Sequence, residues 1–409
     1  MADFHQPVLL PTLHHLADSP LEEREAVLER AAKKRPIALV IPALYSELEG
    51  KALPRMLKEL AGARYVQRVV FSMNGMNATQ YRKALRFFKT RLPEVEHTVL
   101  WNDGPELESL HRTVDAISGG RHTHGKGSNV WMGSAFLFAT GHKGTIACHD
   151  SDILNYDREM LWRLCLPVTH PEMNYVFAKS FYGRVSDRMY GRVTRLLVFP
   201  LIQALRELFG TTPLLSFLAM FRYPLSGEFS ADAEFLAQMG VSSDWGLEIG
   251  MLCDVFRLGP SQRVCQVDLG GNFDHKHQHV GIDPATGREN AKSGLVRMAR
   301  EVTRTLLARL WNELGFTAEA AKLHRLHLTY QHTAKTLLAR YKHDAIFNGL
   351  ADASSDEKTL ADIFGHMIEE VVSDQNMPPR PSEAWMPAWN DLEKAAPGFG
   401  RNLTDCVGG

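Results

Sequence analysis

The chain lacks the features that would bind it to a charged partner or an oxidising compartment. Across 409 residues, Lys and Arg number 46 against 47 for Asp and Glu, so no net field draws it to nucleic acid or an anionic membrane. Recognition must come from local groups. The five cysteines, Cys148, Cys165, Cys253, Cys265 and Cys406, show no Cys-x-x-Cys spacing. Such scattered thiols imply neither a disulfide framework nor a structural zinc site, and they suit a reducing cytoplasm. No apolar run is long enough for a bilayer span: 196–205 and 213–221 are short, and Arg206 and Glu207 interrupt them. Buried helices are expected there, with a dimer face or membrane contact as the alternative. Met1-Ala2-Asp3-Phe4-His5 lacks the basic and apolar parts of a secretory signal, so export is not expected. Internal repeats and long low-complexity tracts are also missing.

What the chain does contain is alternation. Ser19-Pro20-Leu21-Glu22 reads as a capping box with Pro at the first helical position, opening a helix to about Lys34. Residues 37–41 form a continuous apolar run ended by Pro42, the pattern of a strand buried on both faces, and 66–72 repeat it. Helical spacing over 53–61 and 79–92, followed by a strand at 98–101, implies a mostly parallel α/β sheet. A helix opens at Lys126-Gly127-Ser128-Asn129, and strands are expected at 144–150, 176–180 and 264–269. The spans 187–209 and 231–258 read as mainly helical, as does the chain beyond about Asn290, with apolar spacing at Leu306, Leu310 and Leu314. Met377-Pro378-Pro379-Arg380-Pro381 reads as a linker or clasp. These boundaries divide the chain into an N-terminal extension at 1–35, a catalytic domain at 36–285 and a helical appendage at 286–409.

Asp150-Ser151-Asp152 is the most informative motif, because it follows an apolar strand at the sheet's exit edge, where ligands of open α/β sheets collect. Side chains two apart on an extended segment share a face. One carboxylate can then ligate a hard cation that also binds phosphate, although Asp-x-Asp occurs often in surface turns and the motif alone favours a solvated turn after the strand. Pro42-Ala43-Leu44-Tyr45-Ser46-Glu47 follows the first strand, where a nucleoside sits in doubly wound sheets, and Glu47 serves there or caps the next helix. Asn74, just beyond the second strand, joins this substrate-facing edge. Gly125-Lys126-Gly127 sets an ammonium between permissive residues at a helix start, where it and backbone N–H groups can meet phosphate, without the Walker frame. Arg192 and Thr194 of Gly191-Arg192-Val193-Thr194 can hold an anionic acceptor, the alternative being a salt bridge within a helix. Tyr223-Pro224-Leu225-Ser226-Gly227-Glu228 reads as a turn leading into a helix. Asp244 and Glu248 lie four apart around Trp245, so Glu248 can orient sugar hydroxyls while Trp245 covers a ring, or Asp244 caps a helix with Trp245 in the core. In Asp274-His275-Lys276-His277-Gln278-His279, an imidazole can join Asp152 on a cation, or the alternation marks an exposed strand.

Taken in order, Pro42-Ala43-Leu44, Gly125-Lys126-Gly127, Asp150-Ser151-Asp152, Gly191-Arg192-Val193-Thr194, the 223–228 turn, Gly246-Leu247-Glu248-Ile249-Gly250 and His275 resemble the glucosyl-3-phosphoglycerate synthases. The resemblance covers residues 36–280 and implies a retaining glycosyltransferase of the GT-A fold. By this resemblance, Asp152 and His275 hold Mg²⁺ or Mn²⁺ on the sugar nucleotide, Asp150 contacts the ribose and Lys126 the diphosphate. Gly191, Arg192 and Thr194 then bind 3-phosphoglycerate, and Glu248 the donor's sugar hydroxyls. The chain departs from the family at Tyr45-Ser46, which leaves open whether the donor is UDP- or GDP-glucose, and at His275-Lys276-His277, which leaves open the role of His277. A homodimer is expected, with a nucleotide diphosphate sugar and 3-phosphoglycerate as its small-molecule partners. Competing readings are mannosyl transfer or a free glycerate acceptor on the same scaffold, a phosphohydrolase using Asp150, Asp152 and His275, and a nucleotide-sugar sensor without turnover.

Overall fold

Ile37 to Ile41 are all fully buried, but their side chains alternate between two cores: Ala38 and Val40 face one apolar cluster, while Ile37, Leu39 and Ile41 face the other. This is the signature of a central strand with helices on both sides. The computed structural model describes residues 10–16, 19–120, 122–259, 261–273, 294–314, 320–374 and 385–407. Its strands are β1 Thr12–Leu13, β2 Ile37–Leu44, β3 Val66–Asn74, β4 Glu96–Trp101, β5 Thr145–Cys148, β6 Phe177–Gly183, β7 Phe229–Asp232, β8 Val241–Ser242, β9 Val264–Asn272 and β10 Trp385–Met386. Eight of them form one sheet in the order β1-β9-β6-β7-β5-β2-β3-β4, while β8 and β10 pair apart from it. All neighbours in the large sheet run parallel except β7, which is antiparallel to both β5 and β6.

The crossover helices Ala52–Leu60 and Ala78–Arg91 pack their apolar stripes on one face, where Phe88 stacks on Phe71 at 3.8 Å between ring centroids. Such a pair contributes roughly 0.5–1.5 kcal/mol beyond its buried area. Lys126–Ala139 lies on the other face and is buried nearly all round, as its apolar sequence requires. The C-terminal helices Gly294–Leu314, Leu326–Phe347 and Ser354–Ser373 join this same core. Leu306, Leu310 and Phe364 belong to one cluster with Val40, and the buried Tyr330 hydroxyl donates to the Leu196 carbonyl at 2.5 Å. The appendage thus packs on the sheet domain. Phe199–Phe209 and Pro213–Ala219 are buried between them, which is why both are apolar. Among the described residues, no helix is long and apolar enough to cross a membrane.

Four local expectations change. The first helix spans Leu21–Ala32, but Pro20 occupies its cap position and no side chain caps it, so Ser19 and Glu22 form no capping box. Pro42 continues β2 rather than ending it. The Val40 carbonyl accepts from the His149 N–H at 3.2 Å, so positions 40 and 42 face β5, which has already stopped opposite Val40 and needs no donor from Pro42. The 223–228 turn leads into β7 and not a helix, because Phe229-Ser230-Ala231-Asp232 finds pairing partners on both sides. Between 187 and 191 the chain is irregular, and helical structure starts only at Arg192, passing into a π-turn at Thr194. The Pro-rich 377–381 segment lies outside the described residues.

Candidate active site

Cys148 ends β5 at the sheet edge, and Asp150, Ser151 and Asp152 follow in a turn. Strand alternation therefore does not place the two carboxylates, contrary to the expectation that they share the face of an extended segment. Both nevertheless line one cavity of about 610 Å³. Across it, the Lys126 ammonium lies 2.7 Å from Asp150 Oδ1 and 2.9 Å from Glu248 Oε1, at the start of Lys126–Ala139. Burial works against the lysine charge, but Asp150 and Glu248 outweigh it and raise its proton affinity well above the usual lysine range. Two glycines make this approach possible. A Cβ on Gly227 would sit 2.3 Å from Asp150 Oδ2, and one on Gly127 would sit 1.7 Å from the Ser242 carbonyl oxygen. The Ser128 N–H, one of the free amides expected at this helix start, donates instead to the Ser243 carbonyl at 3.1 Å.

The expected nucleoside edge is also assembled. Pro42, Ala43 and Leu44 close β2, Asn74 closes β3, and all line the same cavity with Glu47. Glu47 lies in the short 3₁₀ turn Tyr45–Glu49, and the next helix begins at Ala52 without a side-chain cap, so its alternative role as a cap is not realised. Glu248 lies in the first turn of Leu247–Leu258, and only 5% of it is exposed. Trp245 lines the cavity rather than the core, its ring centroid 6.0 Å from Lys126 Nζ.

Asp244 is not the cap of Leu247–Leu258, a position held by Gly246. Its carboxylate instead accepts from the Ser242 hydroxyl at 2.7 Å and the Gly246 N–H at 2.8 Å. Burial and then the Glu301 charge push its pKa up to about 6, against a partial pull downward from those two hydrogen bonds. A carboxyl raised in the folded state binds its proton more tightly there than when unfolded, so its charge destabilises the fold above about pH 6, and that penalty fades as pH falls towards 4. Asp244→Asn is therefore expected to stabilise the protein at pH 8 by up to about 3 kcal/mol and to change little at pH 4. Urea unfolding of both proteins at the two pH values checks this.

Gly191, Arg192 and Thr194 line the same cavity. Gly191 has φ +69°, the left-handed region open to glycine, and Thr194 begins the π-turn Thr194–Val198, a distortion frequent at functional sites. Burial and then, against an upward pull from Tyr190, the charges of Arg184, Arg195 and Arg188 lower the proton affinity of Arg192; Arg195 and Arg188 are themselves paired with Glu357 and Asp187. Arg184 escaped sequence reasoning. It follows β6 by one residue, lines the cavity, interacts with Asp152 and Tyr223, and holds a buried Nε with no hydrogen-bond partner among the described residues. Lys179 was also missed. It is buried beneath the floor beside Glu228 and Glu248, donates to the Ser226 carbonyl, and burial draws its pKa down to about 8. A lone Lys in a strand and an Arg beyond it carry no motif; Lys179 lies within the strand expected at 176–180, and Arg184 emerges only from the extension of β6 to Gly183.

The cleft thus joins Asp150, Asp152, Lys126, Glu248, Trp245 and the β2 edge to Gly191, Arg192 and Thr194. His275 and His277 lie outside the described residues. Asp152 supplies a hard oxygen donor facing the cavity, the type Mg²⁺ and Mn²⁺ take. Phe273, the last described residue before His275, stacks at 3.8 Å on Tyr182, itself a cavity residue. The residues present fit a divalent cation at Asp152.

No family model matches the chain. A glucosyl-3-phosphoglycerate synthase of Persephonella marina is 34% identical over 91% of this chain and 90% of its own length. Another, from Methanococcoides burtonii, is 32% identical over 99% and 97%. Among solved structures, the Mycobacterium tuberculosis glucosyl-3-phosphoglycerate synthase in complex with Mn²⁺, UDP-glucose and phosphoglyceric acid aligns with a TM-score of 0.52 and 25% identity, covering 76% of this chain and 89% of that one. The same mostly parallel sheet with flanking helices is common to both. With this likeness running nearly end to end in two relatives, the chain belongs to the glucosyl-3-phosphoglycerate synthase family.

Proposed function

We propose that this chain transfers glucose from UDP- or GDP-glucose to the free hydroxyl of 3-phosphoglycerate with retention of anomeric configuration. The observation that carries the reading is one cleft lined both by carboxylates and Lys126 at the β5 exit and by an arginine group around Gly191 and Thr194. The first group suits a cation-bound diphosphate, and the second a compact acceptor bearing two anionic groups. Asp152, with His275, would hold Mg²⁺ or Mn²⁺. Bound there, the cation neutralises charge building on the departing diphosphate.

The side chains divide the remaining work. An arriving diphosphate competes with Asp150 and Glu248 for the Lys126 ammonium, so Asp150 becomes available to the ribose and Glu248 to the sugar hydroxyls. Lys126 then faces the leaving group with a charge that does not titrate near neutral pH. Arg192 and Thr194, assisted by Arg184, orient the acceptor phosphate and carboxylate so that its hydroxyl meets the anomeric carbon on the leaving-group face. His277 remains a substrate-side residue in this reading. The division into 1–35, 36–285 and 286–409 is one of roles, with catalysis in the middle segment. The cysteines of the described residues are free thiols, which supports a reducing cytoplasm, and a homodimer is proposed with it.

Incubation with Mg²⁺, UDP- and GDP-sugars, and 3-phosphoglycerate or glycerate tests this reading through nucleotide diphosphate release. Release should require 3-phosphoglycerate and a glucose donor. Acceptor-independent behaviour with every pair, or phosphate release without any sugar donor, would remove the transferase assignment.

A further inference from the structure

Beside the cleft, His111, His122 and His124 bring three ring nitrogens within 4.8 Å of one another. We propose that these residues form a second metal site, independent of Asp152, that takes a borderline-soft divalent transition metal of the Zn²⁺ class through three imidazoles.

The hydrogen bonds around the cluster turn the lone pairs inward. His111 Nε2 lies 2.7 Å from the Asn102 carbonyl oxygen, which can only accept, so this nitrogen carries the proton. With Nε2 committed to that carbonyl, Nδ1 is the nitrogen that His111 turns towards the cluster. His122 Nδ1 meets the Asp115 carboxylate, the outer partner expected of a ligating histidine, and so presents Nε2 inward. These two inward nitrogens are 3.0 Å apart. With both rings neutral, two lone pairs would confront each other, so a cation belongs between them. A proton bridges only two nitrogens, whereas a third imidazole converges here: the His124 ring lies edge-on to His111 at 4.6 Å and to His122 at 5.2 Å. Ligands about 2.0–2.1 Å from a tetrahedral Zn²⁺ stand roughly 3.3–3.4 Å apart, a few tenths of an ångström from the observed contact. Nitrogen-only donors favour Zn²⁺ and its neighbours over Mg²⁺, which seeks oxygen. His124 is exposed, which gives the ion an entry path and leaves a fourth position for water.

The location gives this site a task. Gly125 and Lys126 follow His124 directly, and Asn74 donates to the His124 carbonyl at 3.0 Å. Asn102, which holds His111, also donates to Ser72 Oγ and Asn129 Oδ1 at 2.8 Å each. An ion here would pin the 122–124 segment to the helix Glu108–Ser118 and to the end of β4, fixing the approach to Lys126. His-x₁₀-His-x-His spacing between 111 and 124 carries no familiar signal, which is why sequence reading from the cysteines alone implied no zinc site.

The test uses full-length protein without a histidine tag, stripped of metal and titrated with Co²⁺ in excess Mg²⁺, which occupies the oxygen site. Wild type is expected to bind a single Co²⁺ with the intense visible absorption of tetrahedral coordination, displaced by Zn²⁺, and Zn²⁺ should raise its melting temperature. His124→Ala and His122→Gln should lose both the band and the equivalent, while Asp152→Ala keeps them. Because His124 is exposed, its variant retains the fold and decides the matter even if His122→Gln does not fold. A wild type that takes up no Co²⁺ or Zn²⁺, or a His124→Ala variant with an unchanged spectrum, overturns the site.

Discussion

Asp152→Ala is expected to lower acceptor-dependent nucleotide diphosphate release by about 10³-fold or more, since stabilisation of a departing diphosphate by a bound cation is worth several kcal/mol and each 1.4 kcal/mol or so is tenfold in rate. The substitution lies in the turn after β5 and removes no apolar packing, so the melting temperature should stay close to that of wild type. His275→Ala should reproduce the kinetic loss, and neither variant should recover when Mg²⁺ is raised. Acceptor binding, which we propose for Arg192 and Thr194, should change little in Asp152→Ala when measured without donor. Asp152 does share an electrostatic interaction with Arg184. Acceptor affinity is therefore the sensitive control: a large fall there would assign Asp152 to holding Arg184 in place. Full activity in Asp152→Ala would remove it from the cation shell altogether.

The fold was legible where burial dictates sequence. The runs at 37–41 and 66–72 read as buried strands, the second enclosed from Val69 onward while Gln67 is exposed and Arg68 half-buried, and the helical spacings between them imply a parallel sheet; β2, β3 and β4 follow. Legibility ended where pairing, rather than composition, makes the element. Nothing in Phe229-Ser230-Ala231-Asp232 distinguishes four residues of strand from a helix start, yet β5 and β6 leave a gap in the sheet that this segment fills by running antiparallel to both. Capping was misjudged for a related reason. Ser19, Glu47 and Asp244 each precede a helix at a plausible spacing, but Pro20 holds the first cap, a 3₁₀ turn separates Glu47 from the second helix, and Gly246 holds the third cap.

The site was legible to the extent that its residues lie in motifs, and ordered motifs survive errors in the elements between them. Asp150 and Lys126 were both singled out, but their contact was not foreseen, since it depends on where Lys126–Ala139 packs. That packing is set by Gly127 against the Ser242 carbonyl and by Gly227 against Asp150, close approaches that a list of glycines does not reveal. Arg184 and Lys179 show the converse, being single charged residues in and after a strand that become significant only through what burial brings near them.

Lys126→Met should affect both folding and chemistry, and a second substitution separates the two. The lysine is the cation between Asp150, whose side chain is 18% exposed, and Glu248, 6% exposed. Removing it strands two carboxylates in a poorly solvated wall, and breaking a buried pair in this way costs about 3–5 kcal/mol. The loss should appear as a fall in urea midpoint at pH 7 and shrink on acidification, because protonating a stranded carboxylate relieves it. Wild type should show no matching trend between pH 6 and 9: a lysine raised above its unfolded value contributes stability fully present below the unfolded pKa, lost only in stronger alkali. Pairing Lys126→Met with Glu248→Gln removes one charge of each sign, and most of the lost stability should return. Turnover should not return, since neither a cation on the leaving group nor an anion on the sugar hydroxyls is restored. The coupling energy from this cycle reports the structural pair, while the rate of the double variant reports catalysis alone. A double variant that regains both stability and turnover would reduce Lys126 to a counterion for Glu248 and leave the leaving-group role to another residue.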